Sequence, residues 1–235
     1  DVDGPRRTLL SGYGAYGISL VPAYAGVPGR LWLSRGGVLA IANIRGGGEY
    51  GPQWHTATMR AGRHLVAEDF AAVAGDLVVR GITTAAQLGA EGGSAGGLLM
   101  GIMLTQYPEL FGALVCDAPL LDMRRYPLLG LGAASIPEFG DPDNPDEWLF
   151  IAKYSPYQNV SPDRRYPPIL ITAAVNDDRV HPGHARKMTA ALEEAGHDVW
   201  YYENIEGGHG GAANNAQSAH MNALSYTFLW QQLTK

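Results

Sequence analysis

The stretch Gly92-Gly93-Ser94-Ala95-Gly96-Gly97 decides how this chain reads. Residues 87–92 before it are short and apolar and read as a strand. Residues 95–106 after it read as a helix, ended by Tyr107-Pro108. A serine at such a turn, in the pattern G-x-S-x-G, carries its hydroxyl above the end of a sheet. Bulky residues two positions to either side would clash there, which accounts for the glycines. The helix start just behind the serine favours developing negative charge. Ser94 is therefore the candidate nucleophile.

Outward from this turn, apolar runs rich in β-branched residues alternate with longer amphipathic stretches. Residues 7–13 (RTLLSGY), 37–44 (GVLAIANI), 87–92, 112–117, 169–175 and 198–203 read as six strands. The continuous hydrophobicity of 37–44 predicts burial on both faces. Helices are expected over 62–80, 95–106, 143–153, 184–195 and 212–233. In the first of these, Val66, Phe70, Val73 and Leu77 recur at helical spacing. Alternation of strand and helix predicts a mostly parallel, doubly wound sheet with helices on both faces. No linker or repeat divides residues 1–235, so one domain is expected.

A serine nucleophile needs a base, and the base needs an orienting acid. In a sheet of this kind they follow the serine as acid, then histidine. Strand 169–175 ends in Asn176-Asp177-Asp178-Arg179, at the carboxyl end where such sheets carry chemistry. Asp177 or Asp178 is the acid. The next strand leads into Gly207-Gly208-His209-Gly210-Gly211, which makes His209 the base. His181, His184, His197 and His220 read as surface or core histidines.

Composition narrows the function classes. Of 235 residues, 46% are hydrophobic and 17% charged, which is globular and not disordered. A formal net charge of −6 has the wrong sign for a nucleic-acid footprint or a polybasic membrane anchor. No apolar run is long enough to span a bilayer. No leader is visible, so the expected compartment is the cytoplasm. Cys116 is the single cysteine, which excludes an internal disulfide. Gly46-x-Gly48-x-x-Gly51 fits a dinucleotide fingerprint. However, Pro52-Gln53-Trp54 opens a helix poorly, and no acidic residue ends a strand at the required distance. His181-Pro182-Gly183-His184 lacks further ligands for a metal. No metal and no cofactor are expected.

GGSAGG, DDRV and GGHGG, together with SGYGAYG and ANIRGGGEYG upstream, resemble the catalytic domain of the prolyl oligopeptidase family over nearly the whole chain. The resemblance implies an α/β-hydrolase fold and a serine peptidase acting on short peptides. It assigns Ser94 as nucleophile, Asp177 as acid and His209 as base. The oxyanion donors would be the Ala95 N–H and the Tyr13 hydroxyl. Arg179 would bind a substrate carbonyl, and Tyr16, Val180, Leu120 and Phe139 would line the pocket for the residue before the scissile bond.

Three departures qualify this. Ala95 replaces the asparagine of the family's proline-specific members. The tryptophan that stacks on a substrate proline falls at Ser135 here, which predicts an open pocket. Residues 1–235 hold no match to the family's N-terminal β-propeller or to the first strands of the hydrolase sheet, as expected of a C-terminal piece of a longer protein or of a natural truncation. The alternative substrate class is therefore small acyl esters cleaved by the same triad. The missing strands also make 38–44 an apolar sheet edge, and a two-fold partner pairing along it, a homodimer, is the expected cover.

Overall fold

In the computed structural model, residues 4–233 are described. Six strands are present: β1 (Thr8–Ser11), β2 (Val38–Ile41), β3 (Leu88–Gly93), β4 (Ala113–Asp117), β5 (Ile169–Ala174) and β6 (Val199–Asn204). They form one parallel sheet in the order β2-β1-β3-β4-β5-β6. All six fall inside or at the stretches that read as strands. The helices are α1 (Gly26–Leu31), α2 (Pro52–Thr56), α3 (His64–Val79), α4 (Ala95–Gln106), α5 (Ile136–Phe139), α6 (Pro145–Tyr154), α7 (Gly183–Glu194) and α8 (Asn215–Gln232). The short helices α1, α2 and α5 carry no periodic signal and were not expected from the sequence.

Alternating strand residues feed two cores. Leu10, Leu114, Cys116 and Ile171 pack with α3, α4 and α7 on one face. Leu9, Val115 and Leu170 pack with Trp32, Tyr226 and Leu229 on the other, under α8. Period-two alternation with apolar residues in both sets is what a sheet covered on both faces requires. Helix α4 is buried throughout residues 95–105, which explains its apolar character all round.

Helix boundaries move for local reasons. α8 starts at Asn215 and not at 212, because Gly211 has φ +80° and Asn214 caps the helix, its side chain accepting from Gln217 N at 3.0 Å. α6 likewise starts after Asn144, which accepts from Asp146 N at 3.0 Å, with Pro145 in the first turn. Strand β2 is shorter than its apolar run and forms one end of the sheet. It is not buried on both faces: Val38, Leu39 and Ala40 are partly covered and Ile41 is 50% exposed. An end strand has only one neighbour to cover it, which continuous hydrophobicity could not reveal. Among the described residues, no helix is long and apolar enough to cross a membrane.

Candidate active site

Ser94 stands between β3 and α4 with φ +58° and ψ −116°, a conformation that a side chain rarely adopts. Strain of this kind costs about 1–3 kcal/mol and persists only where the surroundings over-determine it. Here Ser94 N donates to Asp117 O at 2.8 Å and Ser94 O accepts from Leu98 N at 3.1 Å. The flanking glycines are sterically required. A Cβ on Gly92 would lie 2.4 Å from Gly96 O, and one on Gly96 would lie 2.9 Å from Gly12 O. Gly92→Ala is therefore expected to destabilise the fold by about 1–3 kcal/mol or more, measured by urea denaturation. An unchanged midpoint would show that the turn relaxes freely.

The candidate acid and base follow β5 and β6. Val175 N donates to Asn204 O at 2.9 Å and Asn176 N to Gly207 O at 3.2 Å, which ties the β5 and β6 loops together. Asn204 Oδ1 accepts from Glu206 N and Gly207 N at 2.9 and 3.2 Å. A Cβ on Gly207 would lie 2.1 Å from Gly211 O, so this turn closes only with glycine there. The result places His209 Nδ1 at 2.8 Å from Asp177 Oδ2.

Asp177 is 3% exposed, and its Oδ1 accepts from Arg179 N at 3.0 Å and Val180 N at 2.9 Å. Burial alone would raise its carboxyl. The bonds from His209 and from the Val180 and Arg179 N–H groups outweigh it and hold the carboxyl below its ordinary value. The stability gained is full above the unfolded carboxyl's pKa of about 4 and is lost as pH falls through the folded value. An ionised Asp177 takes the Nδ1 proton as its hydrogen-bond donor, which leaves the lone pair of His209 on Nε2. Asp178, which the residues alone left open as acid, is exposed, and its backbone carbonyl accepts from Leu131 N at 3.0 Å.

Ser94 and His209 line one cavity of about 280 Å³ between the strand ends and α8. No hydrogen bond joins their side chains among the described residues; such bonds tighten when substrate binds. Glu91 and Asp117 also face this cavity. Burial, assisted by the charge of Asp117, pushes the Glu91 carboxyl up to about 7. Burial also raises Asp117, although Thr172 Oγ1 donates to it at 2.5 Å.

None of the other assigned residues, Tyr13, Ala95, Arg179, Tyr16, Val180, Leu120, Ser135 and Phe139, lines this cavity. Tyr13 packs against the start of α4: a Cβ on Gly96 would lie 3.5 Å from its ring. Ala95 opens α4, where a first-turn N–H has no carbonyl within the helix. Arg179 is exposed, and its guanidinium makes no hydrogen bond or ion pair with the described residues. Leu120, Val180 and Phe139 are buried, at 4%, 7% and 0% exposure. Tyr16 meets Phe139 edge to face at 5.7 Å, and its hydroxyl lies 2.8 Å from Ser135 Oγ. Ser135, where the pocket was expected to be open, thus has the hydroxyl of a tyrosine from another loop within hydrogen-bond distance.

The loop at Gly46–Gly51 packs closely on the segment that carries Tyr16. A Cβ on Gly46 would lie 2.1 Å from Gly14 O, and one on Gly48 would lie 2.4 Å from Gly17 O. His184 is fully buried; its Nδ1 accepts from Asp122 N at 3.0 Å, and burial pushes it down to about 4, so it is a neutral core residue. Three polar residues given no role from the sequence meet beside Tyr16: His55, Arg63 and Glu138. His55 and Arg63 carry no local pattern, and Glu138 precedes Phe139-Gly140 without a role of its own. Among the described residues no group of three or more His, Cys, Asp or Glu could hold a metal ion.

Comparison with known proteins places this geometry. A sequence model of the prolyl oligopeptidase family matches residues 29–235. The uncharacterized peptidase y4nA of Sinorhizobium fredii is 47% identical over 232 residues, covering 99% of this chain and 32% of the relative. Among solved structures, a post-proline cleaving enzyme from Rickettsia typhi superposes with a TM-score of 0.96 at 40% identity, covering 99% of this chain and 34% of that one. Oligopeptidase B from Leishmania major superposes at 0.94 and 31% identity, covering 100% and 33%. This chain thus spans about a third of the length of the relatives it matches. Its six-stranded parallel sheet is the α/β-hydrolase fold of those structures, and with the family model matching most of its length, the chain belongs to the prolyl oligopeptidase family.

Proposed function

We propose that this chain carries the catalytic machinery of a serine peptidase that cleaves short peptides through an acyl-enzyme on Ser94. The observation that carries the reading is the strained Ser94 facing one cavity with His209, whose other ring nitrogen is held by the buried Asp177. His209 Nε2 takes the Ser94 proton as Oγ attacks the scissile carbonyl. The negative oxygen of the tetrahedral intermediate is held by the Ala95 N–H and the Tyr13 hydroxyl. Collapse breaks the C–N bond, and His209 gives its proton to the leaving amine. Water then attacks the acyl-enzyme, giving a proton to His209, which returns it to Ser94 as the acid departs.

A fluorophosphonate probe tests this directly. Labelling of the wild type but not of Ser94→Ala is the expected result, and an unlabelled wild type would sink the proposal. Aminoacyl-amide and short p-nitrophenyl ester substrates, assayed in parallel, decide the substrate class. Turnover of esters alone would favour an esterase instead.

Arg179 sharpens that choice. In this reading its exposed, unpaired guanidinium binds a carbonyl on the acyl side of a peptide, a group that simple acyl esters lack. A hydrogen bond involving a charged group contributes about 1.5–3 kcal/mol. Arg179→Ala is expected to lower kcat/KM for peptides by roughly 10- to 150-fold and to spare small esters. Equal loss on both substrates would assign the arginine a structural role.

A further inference from the structure

Glu138 lies in α5, between the wall residues Ser135 and Phe139, and is 4% exposed. Its carboxylate has three partners from other parts of the chain. Tyr16 N donates to Oε1 at 3.0 Å, His55 Nε2 lies 2.7 Å from Oε2, and Arg63 Nη1 lies 3.7 Å from Oε1. Arg63 is itself 1% exposed. Its Nη1 donates to Gly14 O at 2.7 Å, and its guanidinium rests on the Phe139 ring at 4.9 Å. Its Nε and Nη2 have no hydrogen-bond partner among the described residues.

Burying a carboxylate and a guanidinium costs several kcal/mol per ion, and apolar residues of similar volume often serve stability better. The pair must therefore be judged by what it holds. It grips the Gly14 carbonyl and the Tyr16 N–H, on either side of Ala15. The gripped segment is strained: φ is +69° at Gly14, +57° at Tyr16 and +66° at Gly17. Tyr16 is the costly one, since a side chain disfavours this region. Without the carboxylate, the Tyr16 N–H loses its acceptor and the backbone loses one reason to stay strained. Tyr13 begins the same segment and Tyr16 forms the pocket wall.

We propose that Glu138, with Arg63 and His55, is a positioning residue that holds the 13–17 segment in register with Ser94, so that one buried carboxylate sets both the oxyanion donor Tyr13 and the wall residue Tyr16. The inference rests on the serine peptidase reading. It assigns Glu138 no contact with substrate, and its effect runs through Tyr13 and Tyr16.

The test is a double-mutant cycle on peptide hydrolysis with melting measured alongside. Glu138→Gln keeps the shape of the side chain and removes its charge. It is expected to lower kcat by roughly 10- to 100-fold with a smaller change in KM. Combined with Tyr13→Phe, it should add no more than about 3-fold to the loss from Tyr13→Phe alone, because both remove the same donor from its place. Losses that multiply in full, or a lowered melting temperature with kcat intact, would overturn the proposal. If Glu138→Gln does not fold, His55→Gln decides, since His55 is partly exposed and its loss leaves the Glu138–Arg63 pair in place. Coupling of His55→Gln to Tyr13→Phe supports the proposal, and additivity overturns it. A wild type that neither labels with fluorophosphonate nor cleaves peptides sinks the peptidase reading and this one with it. A labelled, active wild type with additive variants sinks this one alone.

Discussion

Ser94→Ala, His209→Ala and Asp177→Asn are each expected to lower peptide turnover by roughly 10⁴-fold or more. In the proposed mechanism Ser94 supplies the attacking oxygen from its strained turn. In the same mechanism His209 supplies Nε2 as base only while its Nδ1–H is held by Asp177 Oδ2, 2.8 Å away. An amide at position 177 can turn its NH₂ toward Nδ1, which stabilises the wrong tautomer and takes the lone pair from Nε2. The three act as a unit, so the Ser94→Ala/His209→Ala double variant should be little slower than either single one. Asp178→Asn is the control: its side chain is exposed, and little change is expected. A crippled Asp178→Asn beside a mild Asp177→Asn would overturn the assignment of the acid. Single-turnover kinetics on an amide substrate read all of these.

Tyr13→Phe is expected to lower kcat by roughly 10²- to 10³-fold while KM stays nearly constant. The ring packs beside the first turn of α4, and its hydroxyl has no hydrogen-bond partner among the described residues. A donor aimed at an oxygen that carries charge only in the tetrahedral intermediate contributes little to ground-state binding. Its removal therefore appears in kcat. The fold should be unaffected, since phenylalanine keeps the packed ring. A loss confined to KM would make Tyr13 a wall of the pocket and leave the Ala95 N–H without that partner.

The chain's own sequence determined the six strands, the helices that flank them and the elbow at Ser94. These depend on local, repeated signals: period in hydrophobicity, β-branched runs, and glycines where a Cβ would strike backbone at 2.4 or 2.9 Å. It also placed a histidine between glycines after the last strand, where a turn must close tightly. Tertiary structure alone decided the rest. Residue pattern left Asp177 and Asp178 level and only the family resemblance chose between them; the physical difference is that the Asp177 carboxylate turns inward to His209 and two backbone N–H groups, while Asp178 faces solvent. Tyr16 reaches Ser135 from a position more than a hundred residues earlier in the chain. Glu138, Arg63 and His55 meet beside Tyr16 from three separate elements. Isolated polar residues have no period to read, and what they do depends on which distant backbone groups the sheet order β2-β1-β3-β4-β5-β6 brings within hydrogen-bond reach.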